Sequence, residues 1–176
     1  PLCWLLMQAV HELGHVVVTF ATGGTVARVV LHPLAISRTD SSGSLHPLLV
    51  VWAGPAAGVV VPLALLAVFK AARWKWGYLV QFFAAACLIA NGAYLGVGSF
   101  EGIGDAGDLI RQGGPIWSLW LFGMVTVPFG LYLWNGLGPS FGLGQAAGKV
   151  DRMAARVSGA LLLFVVVLEA AFSSCR

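Results

Sequence analysis

The sequence is short of charge. Aspartate, glutamate, lysine and arginine make up only 10% of its 176 residues, whereas a soluble domain carries about 25%. That deficit excludes an ordinary soluble fold. The formal net charge is only +3. No basic stripe with interleaved aromatics occurs, so nucleic acid is not an expected partner. Cysteine is scarce as well. Cys3, Cys87 and Cys175 stand far apart and form no C-x-x-C pair. Cys3 and Cys87 lie in apolar runs and read as small buried thiols, which give no guide to redox compartment. Residues 1–20 lack the basic start and small-residue cleavage site of a signal peptide. The numbering begins at Pro1 and not at Met, so an upstream span is left open. No internal repeat is present.

Apolar residues are abundant: 59% of the chain, with a mean hydropathy of +0.87. This composition specifies an integral membrane protein, and the length suits one bundle of spans. The expected fold class is an all-α polytopic membrane protein. It is a bundle of about five transmembrane helices with a short β-hairpin or loop after the first.

The chemistry begins in the first apolar stretch, Leu2 to Phe20. Near its centre is His11-Glu12-Leu13-Gly14-His15, a match to H-E-x-x-H. Four residues along an α-helix turn about 400°, so His11 and His15 share one face, one turn apart. Two imidazoles so placed can share a Zn²⁺ at about 2.0–2.1 Å. Glu12 points about 100° away, where it can take a proton from a water beside the metal without being a ligand. Ionisable groups at the middle of a span are costly and mark a functional site. The bland alternative is a chance match on a buried helix, with both histidines bonded to backbone carbonyls.

The first helix is expected to end near Ala21, at Thr22-Gly23-Gly24. Residues 25–47 form the most polar long stretch. A β-branched run over Thr25–Leu31, a weaker run over Leu34–Thr39 and the turn residues Asp40, Ser41, Ser42 and Gly43 predict a hairpin or irregular loop at the membrane surface. His32 and His46, each followed by proline, read as solvated loop histidines. Spans are expected over 48–69 and 77–100, and a C-terminal pair within 113–176. The first pair of spans lies in a unit of residues 1–112 with the motif helix, hairpin and acidic loop. The C-terminal pair belongs to the same domain.

Within the second span, Ala53-Gly54-Pro55-Ala56-Ala57-Gly58 suits either close helix packing or a substrate-facing position for Gly54 and Pro55. Asn91, inside the third, either bonds between helices or orients substrate and stabilises an oxyanion. Glu101, Asp105 and Asp108 then place three carboxylates within eight residues at a span end. A catalytic zinc commonly takes three protein ligands. This cluster is either a solvated acidic loop or, through one of its carboxylates, the downstream source of the third.

HELGH in the first helix, Ala53-Gly54-Pro55 in the next span and Asp105-Ala106-Gly107-Asp108-Leu109-Ile110 after the third resemble the site-2 protease family, the intramembrane zinc metallopeptidases. The resemblance covers residues 1–112. It implies Zn²⁺ held by His11, His15 and Asp105, with Asp108 the alternative third ligand and Glu12 the catalytic base. It also implies a substrate that is a membrane protein with a transmembrane helix. Two features depart from the family pattern. Ala106 follows Asp105 where glycine is usual, and no Asn-x-x-Pro-x-x-Pro lead-in precedes the acid. No PDZ-like or nucleotide-binding insert is present, as in minimal, divergent members. The expected function is therefore intramembrane zinc endopeptidase. The alternative is a non-proteolytic, protease-like membrane protein whose metal site serves a binding or regulatory module. The expected location is multi-pass in the cell membrane. Orientation, substrate identity and oligomeric state stay open.

Overall fold

The computed structural model describes residues 1–32 and 37–174. Among them six α-helices and one small sheet follow in the order α1 (Leu2–Ala21), β1 (Thr25–Val30), β2 (Arg38–Ser42), α2 (Pro47–Ala71), α3 (Gly77–Glu101), α4 (Gly104–Arg111), α5 (Ile116–Trp134) and α6 (Arg152–Ser174), with two short 3-10 turns between α5 and α6. Five of the helices, all except α4, are long and apolar enough to cross a membrane. Their outward faces carry large apolar side chains, among them Phe100 and Met124, each 75% exposed. The interior holds His11, Glu12, His15 and Asn91. Large apolar surface outside and polar groups inside reverse the arrangement of a soluble protein and suit lipid as the solvent.

Small residues bring the spans together. A methyl group at Gly14 would lie 2.3 Å from the Ala53 carbonyl oxygen, so α1 and α2 touch backbone to backbone there. On α3 and α5, Gly92 and Gly123 form a similar seam: a methyl at Gly92 would meet Thr126 Oγ1 at 2.1 Å. Close approach of this kind lets dispersion forces hold helices together where no hydrophobic drive exists. α2 runs through despite Pro55 and Pro62, both fully buried, because packed neighbours in a membrane tolerate proline inside a helix.

The hairpin forms as expected but in a shifted place. β1 and β2 are antiparallel, with Thr25 opposite Ser42 and Val30 opposite Arg38, and an irregularity between Val26 and Arg28. Asp40, Ser41 and Ser42 are strand residues and not the turn that their types suggested. Pairing with β1 outweighs their weak strand preference. Of the expected second run, residues 34–36 lie outside the described residues, as do Cys175 and Arg176.

The acidic segment is also more ordered than a loop. Residues Gly104–Arg111 are helical, with Asp105 in the first turn and Arg111 in the last, each complementing the helix dipole. Ala106 and Leu109 bury one face of this helix. The final helix starts at Arg152, where Asp151 Oδ1 accepts from the backbone N–H groups of Met153 and Ala154 as an N-cap.

Successive spans alternate in direction. The hairpin and α4 therefore share one side of the bundle, and residues 72–76 and 135–151 share the other. Among described residues, Arg28, Arg38 and Arg111 accompany the first side. Lys70, Arg73, Lys75, Lys149, Arg152 and Arg156 accompany the second.

Candidate metal centre

His11 and His15 are successive residues of one face of α1, as the i, i+4 spacing requires. Both are buried. Their rings meet edge to face with centroids 4.9 Å apart. The first turn of α4 brings Asp105 to them. His11 Nε2 lies 2.8 Å from Asp105 Oδ2, His15 Nε2 lies 3.4 Å from the same oxygen, and the two Nε2 atoms are 3.1 Å apart. Among described residues this trio forms a group able to hold a metal ion. Asp108 turns outward and pairs with Arg111.

The outer nitrogens decide what the inner ones offer. His11 Nδ1–H donates to Asn91 Oδ1 at 2.8 Å. Asn91 is itself oriented by its Nδ2, which donates to the Cys87 carbonyl at 2.9 Å. His15 Nδ1–H donates to the Val50 carbonyl at 2.7 Å. Each neutral imidazole then carries its lone pair on Nε2. With both imidazoles neutral, two nitrogen lone pairs and one carboxylate oxygen converge at 2.8–3.4 Å. A proton on Nε2 or a metal ion relieves that repulsion, and two imidazoles with one carboxylate are a donor set that suits Zn²⁺. Burial pushes the Asp105 carboxyl up. The facing imidazoles, which bond to it whenever they are protonated, more than reverse this and hold it at about 2. Asp105 is thus an anion at neutral pH.

Glycines make the room. A methyl at Gly54 would lie 2.2 Å from His15 Nε2 and 2.6 Å from His11 Nε2. At Gly58 it would lie 2.4 Å from Asn91 Nδ2. Gly54 therefore faces the two Nε2 atoms, where a side chain would collide with the ligand nitrogens, and Gly58 backs Asn91. Gly54 and Pro55 do not line the cavity, whereas Asn91 does. Gly104 has φ +53, and its missing side chain lets Tyr94 Oη approach and accept the Asp105 backbone N–H at 3.1 Å. That contact ties the first turn of α4 to α3.

Glu12 is only 3% exposed. Its carboxylate stands apart from the His–His–Asp trio and is bonded by the hairpin. Ser37 Oγ donates to Oε1 at 2.7 Å, and Thr39 Oγ1 donates to Oε2 at 2.6 Å. Glu12 is nine residues before the end of α1, roughly 13 Å along the axis. The hairpin therefore folds back along α1 to the level of the motif. The cavity here is about 820 Å³, lined by His11, Glu12, His15, Asp105, Tyr94 and β2.

A family model described as peptidase M50B-like matches residues 2–96, more than half of the chain. The chain belongs to that family. Membership bears out the resemblance to the site-2 proteases and makes this M50B-like chain, with its five apolar helices, a multi-pass membrane protein of a peptidase family. The match takes in His11, Glu12, His15, Gly54, Pro55 and Asn91 and stops short of Asp105. The match therefore does not bear on Asp105, which the geometry of this structure brings to the two histidines. No curated protein and no solved structure matches the chain.

The sequence left the partner of Asn91 open and did not single out Val50, Tyr94, Ser37 or Thr39. Tyr94 carried a signal, being three residues after Asn91 and so on the same helix face. The Val50 carbonyl carried none. Removing the Asn91 acceptor leaves His11 Nδ1–H unpaired. Asn91→Leu is expected to weaken metal binding by roughly 10–100-fold, the usual cost of losing an orienting partner. Competition against a chromophoric chelator would measure it, and unchanged affinity would contradict the role.

Proposed function

We propose that this M50B-like protein is an intramembrane zinc metalloendopeptidase of the cell membrane, acting on membrane proteins that carry a transmembrane helix. The reading rests on one observation above all: His11 Nε2, His15 Nε2 and Asp105 Oδ2 converge with both Nδ1 protons committed elsewhere. These three residues would hold the ion. When bound, Zn²⁺ supplies Lewis acidity, which makes a neighbouring water acidic and polarises a peptide carbonyl. Glu12 takes the proton of the attacking water and later returns it to the leaving amine. Two of its roughly four acceptor sites are used by Ser37 and Thr39, which leaves two for that proton. The β2 edge lines the cavity and would pair with an unwound substrate segment as an added strand. Residues 1–112 then form the catalytic unit, with the C-terminal pair of helices packed against it.

Co-expression with a panel of single-span membrane proteins tests the activity. Fragments are expected with the wild-type chain, suppressed by 1,10-phenanthroline in membranes and restored by added zinc. Chelator-insensitive cleavage, or no cleavage of any panel member by zinc-loaded protein, would favour the non-proteolytic alternative.

A further inference from the structure

The bond pair from the hairpin to Glu12 points beyond general-base chemistry. A carboxylate next in sequence to one metal ligand and three residues from the other, on a flexible side chain, is itself a competent ligand for the same ion. A base that ligates the metal is weakened as a proton acceptor and occupies the open position that the water needs. Here both carboxylate oxygens are held away, one by each hydroxyl, at 2.7 and 2.6 Å. Ser37, just before β2, and Thr39, within it, are two residues apart, so their side chains fall on the same face of the extended chain. β1 fixes that register through Val29 opposite Thr39 and Val30 opposite Arg38. The carboxylate lies outside the trio of ligand atoms and is almost fully buried.

We propose that Ser37 and Thr39 are positioning residues that keep Glu12 a base by preventing it from becoming a fourth metal ligand. The hairpin is then part of the catalytic apparatus as well as a surface for substrate. The inference rests on the metal reading above and concerns the hydroxyls alone. Each hydroxyl donates its single proton to Glu12, and an isosteric side chain without that proton releases one oxygen. With both released, nothing on the described hairpin holds the carboxylate from the ion.

The test uses the full chain loaded with Co²⁺, whose visible absorption reports ligand number and type. Ser37→Ala with Thr39→Val is expected to change the band positions and intensity relative to wild type. Adding Glu12→Gln to that pair is expected to restore a wild-type-like spectrum, because the amide is a poor ligand. Ser37→Thr with Thr39→Ser keeps both hydroxyls and is expected to match wild type. The single variants Ser37→Ala and Thr39→Val guard against misfolding of the pair and should show smaller changes of the same kind. Cleavage of a panel substrate should fall roughly 10²-fold in the double variant, the scale of an ångström-sized misplacement, and be recovered by the conservative pair. A double variant with an unaltered Co²⁺ spectrum overturns the inference while leaving the metal site intact. So does a spectral change that persists after Glu12→Gln. A wild-type chain that takes up no Co²⁺ removes the metal reading and this inference together.

Discussion

Glu12→Gln is expected to retain zinc and to cleave substrate roughly 10²–10⁴-fold more slowly than wild type, the range for losing a general base, or more because the same group acts twice. Glutamine keeps the size of the side chain. Its carbonyl oxygen still accepts from one hairpin hydroxyl, so the packing of β2 against α1 is largely kept. What it lacks is a lone pair basic enough to take a proton from water. The metal trio does not include Glu12, so metal content should not follow activity. Cleavage assayed by fragment size, with zinc measured on the same preparation, separates the two. Intact cleavage in Glu12→Gln would overturn the mechanism, and loss of zinc would make Glu12 structural.

Asp105→Ala is expected to lose metal affinity by more than the roughly 10–100-fold typical of changes outside the ligand set, whereas Asp108→Ala keeps it. The two acids are three residues apart on a short helix and look equivalent in composition. Their surroundings differ. Asp105 Oδ2 lies within 2.8 Å of His11 Nε2 and 3.4 Å of His15 Nε2, and its backbone N–H is anchored on Tyr94. Asp108 is bonded to Arg111 toward the exposed side. Removing Asp105 leaves two nitrogen ligands, one short of the usual catalytic set of three. Removing Asp108 frees only a surface ion pair, which contributes little.

Much of this centre was legible before any coordinates. The pair of histidines follows from helical pitch, and their apolar setting from the scarcity of charge. The acidic cluster was reachable because carboxylates at a span end are rare in this chain, and the family resemblance chose Asp105 within it. Other parts were hidden because they depend on contacts between distant residues. The bond from His11 to Asn91 joins positions 80 apart, and no local pattern encodes it. Gly54 reads as a helix-packing glycine, and only the crossing of α1 and α2 sets it against two imidazoles. Gly102, Gly104 and Gly107 masked the helical character of α4. Its buried face has too few residues, Ala106 and Leu109, to display a period. Asp40, Ser41 and Ser42 carry turn chemistry, yet β1 recruits them as a strand. That pairing is what carries Thr39 down to Glu12.

The central claim is a single metal centre built by α1 and α4 from His11, His15 and Asp105. Zinc per chain, measured on purified wild type, Asp105→Ala and Asp108→Ala after identical loading and buffer exchange, tests it most directly. The account predicts about one zinc per chain in wild type and in Asp108→Ala, the occupancy of one three-ligand site, and a severe loss in Asp105→Ala. Full zinc in Asp105→Ala with loss in Asp108→Ala, or no zinc in wild type, would contradict it.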